Sequence, residues 1–182
     1  MEDTLSQLFE PVIASGTPWT AVFGNNDPEA ILLKKDWQME YIAAQPGAIA
    51  EAGPAAIHGI GNFVIQVEAS ESEEVLYNLW MLDSGDYSQV SGVDGYDWVY
   101  LDQIQWYSEM SKSLEQQAGK AQIDGLLFMH IPTPEFFDAA QGEIVGDMFE
   151  QVAAPRVNSG LLTEMRTRGG ENGKPCDPPV VL

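Results

Sequence analysis

The chain has few of the residues that would cross-link it or carry it across a membrane. Its 182 residues include one cysteine, Cys176, which excludes an internal disulfide. No apolar run reaches the roughly 18 residues that a membrane-spanning helix needs. The first residues are acidic and polar, unlike the basic and then apolar start of a secretory signal. The sequence therefore predicts no membrane partner and displays no secretory signal.

Positive charge is also scarce. The chain has 8 Lys and Arg residues against 28 Asp and Glu residues, which gives a formal net charge of −20 at pH 7. No Lys or Arg lies between Lys35 and Lys112. Because proteins bind nucleic acids and anionic lipids largely through their cations, we expect neither as a partner. The simplest interpretation is a solvated acidic surface that favours solubility.

Hydrophobic spacing predicts helices and strands that alternate along the chain. Apolar residues make up 45% of the sequence, as is typical of globular proteins. We expect strands over residues 18–23, 63–67, 75–82 and 126–131, and helices over residues 3–14, 28–44, 102–117 and 161–168. This alternation predicts an α/β fold in one domain, residues 1–168. The Gly- and Pro-rich residues 169–182 predict an unstructured tail.

The second and third of these strands carry a more specific expectation. Only a short polar segment separates residues 63–67 from residues 75–82, so the pair predicts a β-hairpin. Both runs are apolar on both faces. That pattern indicates an interior position in the sheet.

The sharpest chemical signal lies directly after the first predicted strand, in the segment Gly24-Asn25-Asn26-Asp27-Pro28. In α/β folds, ligands bind beyond the carboxyl ends of strands. Amide and carboxylate oxygens at such an end suit hard divalent cations. The alternative is a turn that caps the next helix without any chemistry. The residues alone leave both interpretations open.

The two histidines are the other candidates. His130 ends the strand predicted over residues 126–131, where an imidazole can bind metal, move protons or serve the structure alone. His58 lies in a Gly- and Ala-rich loop with no close acidic neighbour in sequence, which indicates a surface or turn residue. The sequence has no H-E-x-x-H, nucleophile elbow, P-loop or dinucleotide-binding glycine pattern. No self-contained catalytic motif is therefore present.

Five blocks of the sequence resemble one protein family in the same order. VFGNNDPE resembles the GNHD or GNHE block of the calcineurin-like metallophosphoesterases. LWMLDSGDYS, GYDWVYLDQIQWY, LLFMHIPTPEF and PRVNSGLL resemble segments of the purple acid phosphatase-like branch. The resemblance covers residues 17–162. It implies an α/β fold, as part of a metallophosphoesterase-type β-sandwich flanked by helices, and hydrolysis of phosphate esters at two metal ions (Fe, Mn or Zn).

The resemblance also implies roles for individual residues. Asn25 and His130 match two ligands of the same metal ion. Asp27 matches the acidic residue that ends the block and orients its neighbour. Asn26 stands where the family has a histidine that holds the phosphate and protonates the leaving group. An amide can donate a hydrogen bond but cannot act as a general acid near neutral pH.

Other family blocks have no counterpart in this sequence. The D-x-H and GD blocks and the closing GH-x-H are missing, so the resemblance implies a fragment with weak metal binding or none. We therefore expect an incomplete or impaired metal-dependent phosphoesterase, whose complete form takes a phosphate-ester substrate. The alternatives are a non-catalytic binding module on the same scaffold, or a plain acidic α/β fragment. Without the opening strands, the edge beside residues 18–23 would be open to self-association.

Overall fold

The computed structural model describes residues 2–29, 34–168 and 180–181, and it has the expected α/β class. The helices are α1 (Glu2–Ala14), α2 (Lys35–Ala43), α3 (Leu101–Ala118), α4 (Phe136–Ala139) and α5 (Leu161–Arg168), with a 3-10 turn at Asp27–Glu29. The strands are β1 (Phe63–Glu68), β2 (Val75–Met81), β3 (Asp124–Phe128) and β4 (Val180–Val181). None of the helices in the described ranges is both long and apolar enough to cross a membrane.

The strands form one sheet in the order β1-β2-β3-β4. The predicted hairpin is confirmed, because β1 pairs with β2 in an antiparallel arrangement. Helix α3 lies between β2 and β3 along the chain, which allows these two strands to pair in parallel. β4 adds a short parallel pairing to β3. The two-sheet sandwich stays a prediction, since the described strands all belong to this sheet.

Two apolar clusters stabilise the fold. The larger one joins the sheet to α3 and α5, and its buried members are Trp80, Leu82, Val99, Ile104, Tyr107, Leu114, Ile123, Leu127, Met129, Leu161 and Met165. The smaller one contains Phe23, Met39 and Ile42. The smaller cluster anchors the residue that precedes the Gly24–Pro28 segment, so the position of that segment is set by packing.

The strand expected over residues 18–23 is wrong. Only Trp19 makes an isolated bridge there, to Ala48. Its ring stacks on Phe9 at a centroid distance of 4.8 Å, and its Nε1–H donates to the Pro46 carbonyl oxygen at 3.0 Å. Side-chain packing against α1 and the following loop has therefore taken the place of strand pairing in this aromatic run. The open edge predicted beside it does not exist there.

Three other expectations need correction. The helix predicted over 28–44 begins at Lys35, with Pro28 in the 3-10 turn; residues 30–33 lie outside the described part. β1 is not interior, since it ends the strand order and its residues 66–68 are exposed. In the predicted tail, residues 169–179 and 182 lie outside the described residues, whereas Val180–Val181 form β4.

Candidate functional site

The carboxyl ends of β2 and β3 meet at one edge of the sheet because these strands are parallel. The chain that follows β3 is tied to the chain that follows β2 by one buried hydrogen bond. The backbone N–H of Ile131 donates to Ser84 Oγ at 2.8 Å, and Ser84 is 1% exposed. This bond fixes the residue beside Ile131, which is His130, at the edge where α/β folds place ligands.

Asn25 and His130 meet at this edge, although 105 positions separate them in the sequence. Asn25 Oδ1 lies 2.9 Å from His130 Nε2. The Asn25 side chain is buried, whereas His130 is exposed to solvent. Gly24 lies beneath the imidazole, and a Cβ at Gly24 would come within 3.0 Å of the ring atoms Cδ2 and Nε2. The glycine of the block is thus required for the close approach of His130, a role that sequence reasoning did not assign to it.

Both hydrogens on the amide nitrogen of Asn25 have hydrogen-bond acceptors. Its Nδ2 donates to Asn26 Oδ1 and to the Tyr87 hydroxyl oxygen, both at 2.9 Å. Tyr87 in turn stacks on Tyr96 at a centroid distance of 5.6 Å. Tyr87 lies where the sequence predicts neither helix nor strand, and its contact with Asn25 was missed. The only available signal was its place shortly after β2, at the same edge as His130.

Asp27 acts on the turn itself. Its Oδ2 accepts the Gly24 backbone N–H at 2.5 Å, and its carbonyl oxygen accepts Gln38 Nε2 at 2.8 Å. The carboxylate therefore closes the turn that presents Asn25 and Asn26. The structure brings all four candidate residues to one place, with Asn26 exposed at the rim and Asp27 holding the turn.

The Asn25 and His130 pair offers one oxygen and one nitrogen atom of the kinds that metal ions bind. Zinc–nitrogen bonds are about 2.1 Å long and zinc sites are mostly tetrahedral, so two ligand atoms on one ion lie about 3.4 Å apart. The 2.9 Å between Asn25 Oδ1 and His130 Nε2 is a hydrogen-bond distance, so the two atoms would separate by about half an ångström to bind one ion. Among the described residues, no group of three His, Cys, Asp or Glu side chains could hold an ion. Both donors are neutral, and tight sites use more ligands and anionic ones.

The pair opens into a pocket of about 540 Å³. Its walls include the exposed Asn26, Tyr87, Pro132 and Phe136, and residues 150–153. The pocket is large enough for a small phosphate ester, and Asn25 and His130 form its polar end. A ligand in this pocket can therefore reach the exposed His130, whereas Asn25 offers little accessible surface.

A second polar cluster lies near the start of α3. His58 Nδ1 is 2.7 Å from Asp102 Oδ2, and the His58 ring stacks on Tyr100 at 3.9 Å. Burial acts to raise the pKa of Asp102, but hydrogen bonds from the His58 side chain and backbone bring that pKa below its ordinary value. His58 is on the surface as predicted, with its side chain 59% exposed. Its acidic partner is 44 residues away in sequence and was missed.

Buried and half-buried carboxylates line a second pocket, which also contains His58 and Tyr100 in its walls. Lys35 Nζ contacts Asp83 Oδ1 at 2.8 Å, and the Asp83 side chain is 2% exposed. Asp97 is half-buried, and this burial raises the pKa of its carboxyl. The negative charge of nearby Asp86 raises that pKa further, whereas a hydrogen bond from the Tyr100 hydroxyl lowers it. These contacts hold the chain that follows β2.

Comparison with known proteins identifies relatives over most of the chain. It is 32% identical over 93% of its residues to "Probable inactive purple acid phosphatase 14" of Arabidopsis thaliana, and 32% identical over 91% to "Probable inactive purple acid phosphatase 29" of the same plant. It is 31% identical over 90% to "Phosphatase DCR2" of Saccharomyces cerevisiae. No family model matches the chain, and no solved structure does. The chain spans about half the length of the two plant relatives and 30% of the yeast protein.

Proposed function

The chain is a homologue of the purple acid phosphatase-like proteins, and we propose that it supplies two ligands of a phosphoesterase metal site. The observation that carries this proposal is the meeting of Asn25 Oδ1 and His130 Nε2 at 2.9 Å, at the mouth of an open pocket. Both residues stand where the resemblance requires ligands of one ion. The substrate class that we propose is a phosphomonoester.

The residues of the chain would contribute to this chemistry in different ways. A metal ion at Asn25 and His130, of the Fe, Mn or Zn class, would polarise a phosphoryl oxygen and activate water. Asn26, at the rim, can donate a hydrogen bond to a phosphate oxygen but cannot protonate a leaving group near neutral pH. A positioned general acid contributes about 10²–10⁴ in rate. We therefore propose that catalysis by this site is impaired even when its metal is bound.

The second candidate is a non-catalytic module that binds phosphate compounds on the same scaffold. Asn26 favours it, because its side chain is engaged with Asn25 in the position where the family has an acid. The names of the two plant relatives describe those proteins as probably inactive, which is consistent with the same outcome here. The two candidates share the ligand pair and differ in turnover.

A hydrolysis assay with p-nitrophenyl phosphate and added Zn²⁺ or Mn²⁺ separates the candidates. It compares the 182-residue chain with Asn26→His and with His130→Ala. We expect no metal-stimulated turnover by the unmodified chain, and Zn²⁺ binding that His130→Ala removes. Turnover gained by Asn26→His would favour the impaired phosphoesterase, and its absence would favour the binding module. Zn²⁺ binding that His130→Ala leaves unchanged would contradict both.

A further inference from the structure

The orientation of the Asn25 amide decides whether this residue can be a metal ligand. A carboxamide has nearly the same shape after a half-turn of its terminal bond, but the turn exchanges an acceptor oxygen for a donor NH₂ group. Only the oxygen can bind a cation beside His130. In the structure Oδ1 faces His130 Nε2 at 2.9 Å. Shape does not fix this orientation, and His130 Nε2 can donate or accept according to its tautomer. The hydrogen-bond partners of Nδ2 must therefore fix it.

Two partners accept the two hydrogens of Nδ2. One is Asn26 Oδ1, which belongs to an exposed and therefore adaptable side chain. The other is the Tyr87 hydroxyl oxygen, and several contacts fix the position of Tyr87. The Tyr87 ring stacks on Tyr96, the two backbones form an antiparallel bridge, and the Tyr87 N–H donates to Asp86 Oδ1 at 2.6 Å. Tyr87 is the better-fixed acceptor of the two.

We infer that Tyr87 is a positioning residue, whose hydroxyl keeps Asn25 Oδ1 turned toward the ion-binding side. The inference rests on the proposed function for its consequence, but the orientation itself can be observed without metal. Asn25 is 8% exposed although it lines the pocket, so water replaces the lost acceptor only in part, and an amide hydrogen without a full partner there is unfavourable. Removing the hydroxyl therefore favours the turned amide, which presents NH₂ to His130 and to any cation.

The test is a cycle of variants at Tyr87 and Asn25, with Zn²⁺ as the probe. Binding is followed by the NMR signals of the His130 ring, which are readily assigned because the chain has 2 histidines. Partners that orient a ligand are typically worth about 10–100-fold in metal affinity, so we expect Tyr87→Phe to weaken binding about tenfold. In the Asn25→Asp background the same change should cost less than about twofold, because a carboxylate presents an oxygen in either orientation. Tyr96→Phe, which keeps the ring stack, is the matched control.

The cycle separates positioning from a merely structural role. If Tyr87 acted only by packing or by supporting the loop, Tyr87→Phe would weaken binding equally in the unmodified chain and in the Asn25→Asp background, and that result would overturn the inference. The metal-free chain gives a second readout. Nuclear Overhauser contacts from the Asn25 amide hydrogens should reach the Tyr87 ring in the unmodified chain, and His130 in Tyr87→Phe.

Failure of this inference and failure of the proposed function give different results. Zn²⁺ binding at His130 that Tyr87→Phe leaves unchanged would overturn the positioning role alone. A chain that shows the expected amide contacts, and loses them in Tyr87→Phe, yet binds no Zn²⁺ at His130 would retain the positioning of Asn25 and overturn the metal site. Amide contacts that are the same in both chains would overturn the inference whatever the metal does.

Discussion

Replacing Lys35 by methionine should strongly destabilise the fold, because it leaves a buried carboxylate without its cation. Asp83 is 2% exposed and Lys35 is 13% exposed at the side chain, with contacts of 2.8 and 3.1 Å between Nζ and the two carboxylate oxygens. Breaking a buried pair by removing one partner typically costs about 3–5 kcal/mol. Asp83 also accepts the backbone N–H groups of Ile60 and Gly85, which favours the lower end of this range.

The magnitude converts into a measurable melting shift. For a chain of this size, about 1 kcal/mol lowers Tm by about 2–4 °C, so Lys35→Met should lower it by at least about 6 °C. The matched control is Lys120→Met, which breaks the exposed pair with Glu74 and should cost about 1 kcal/mol or less. Adding Asp83→Asn to Lys35→Met should recover part of the lost stability, because it removes the buried and unpaired negative charge. Equal Tm shifts for the two lysine variants, measured by circular dichroism, would refute this reasoning.

Three further outcomes are expected. Gly24→Ala should displace the His130 ring, because the new Cβ would lie 3.0 Å from it; unchanged ring NMR signals would speak against the close approach. The raised pKa of Asp97 means that its carboxyl holds a proton more tightly in the folded chain than in the unfolded chain. The free energy of unfolding therefore falls as pH rises through that pKa. Asp97→Asn should therefore raise Tm at neutral pH more than in acid below the ordinary carboxyl pKa, and the opposite order would be inconsistent with the burial of this carboxyl. Self-association, proposed now at the β1 edge, should weaken in Val67→Lys; equal sedimentation coefficients for both chains at high concentration would contradict it.

The part of the fold that the sequence predicted well is the part where pattern and packing agree. The hairpin of β1 and β2, helix α3 and helix α5 all have apolar faces that pack into the larger cluster, and their bounds fall within a few residues of the expectation. The failure at residues 18–23 has a physical reason. Aromatic and β-branched residues favour strands, but Trp19 instead packs on Phe9 of α1, a contact that local pattern cannot reveal.

The candidate site shows the same division. The block around Asn25 and the position of His130 could be found in the sequence, because the first follows a predicted strand and the second ends one. The first of these strands did not form, and β3 ends at Phe128. Their partners could not, since Tyr87 is 62 residues from Asn25, and Ser84 is 47 residues from Ile131. The Ser84 contact depends on the parallel pairing of β2 and β3, and the Tyr87 contact depends on how the Asn25 block packs against the sheet. A single sequence contains no direct record of either.

The most direct test of the central claim, that Asn25 and His130 together bind a metal ion, is a Zn²⁺ titration of the chain followed at both histidine rings. The signals of His130 should move with added Zn²⁺, and Asn25→Ala should remove most of that response while the signals of His58 behave alike in both chains. A response confined to His58, or a His130 response that is the same without the Asn25 amide, would contradict the claim.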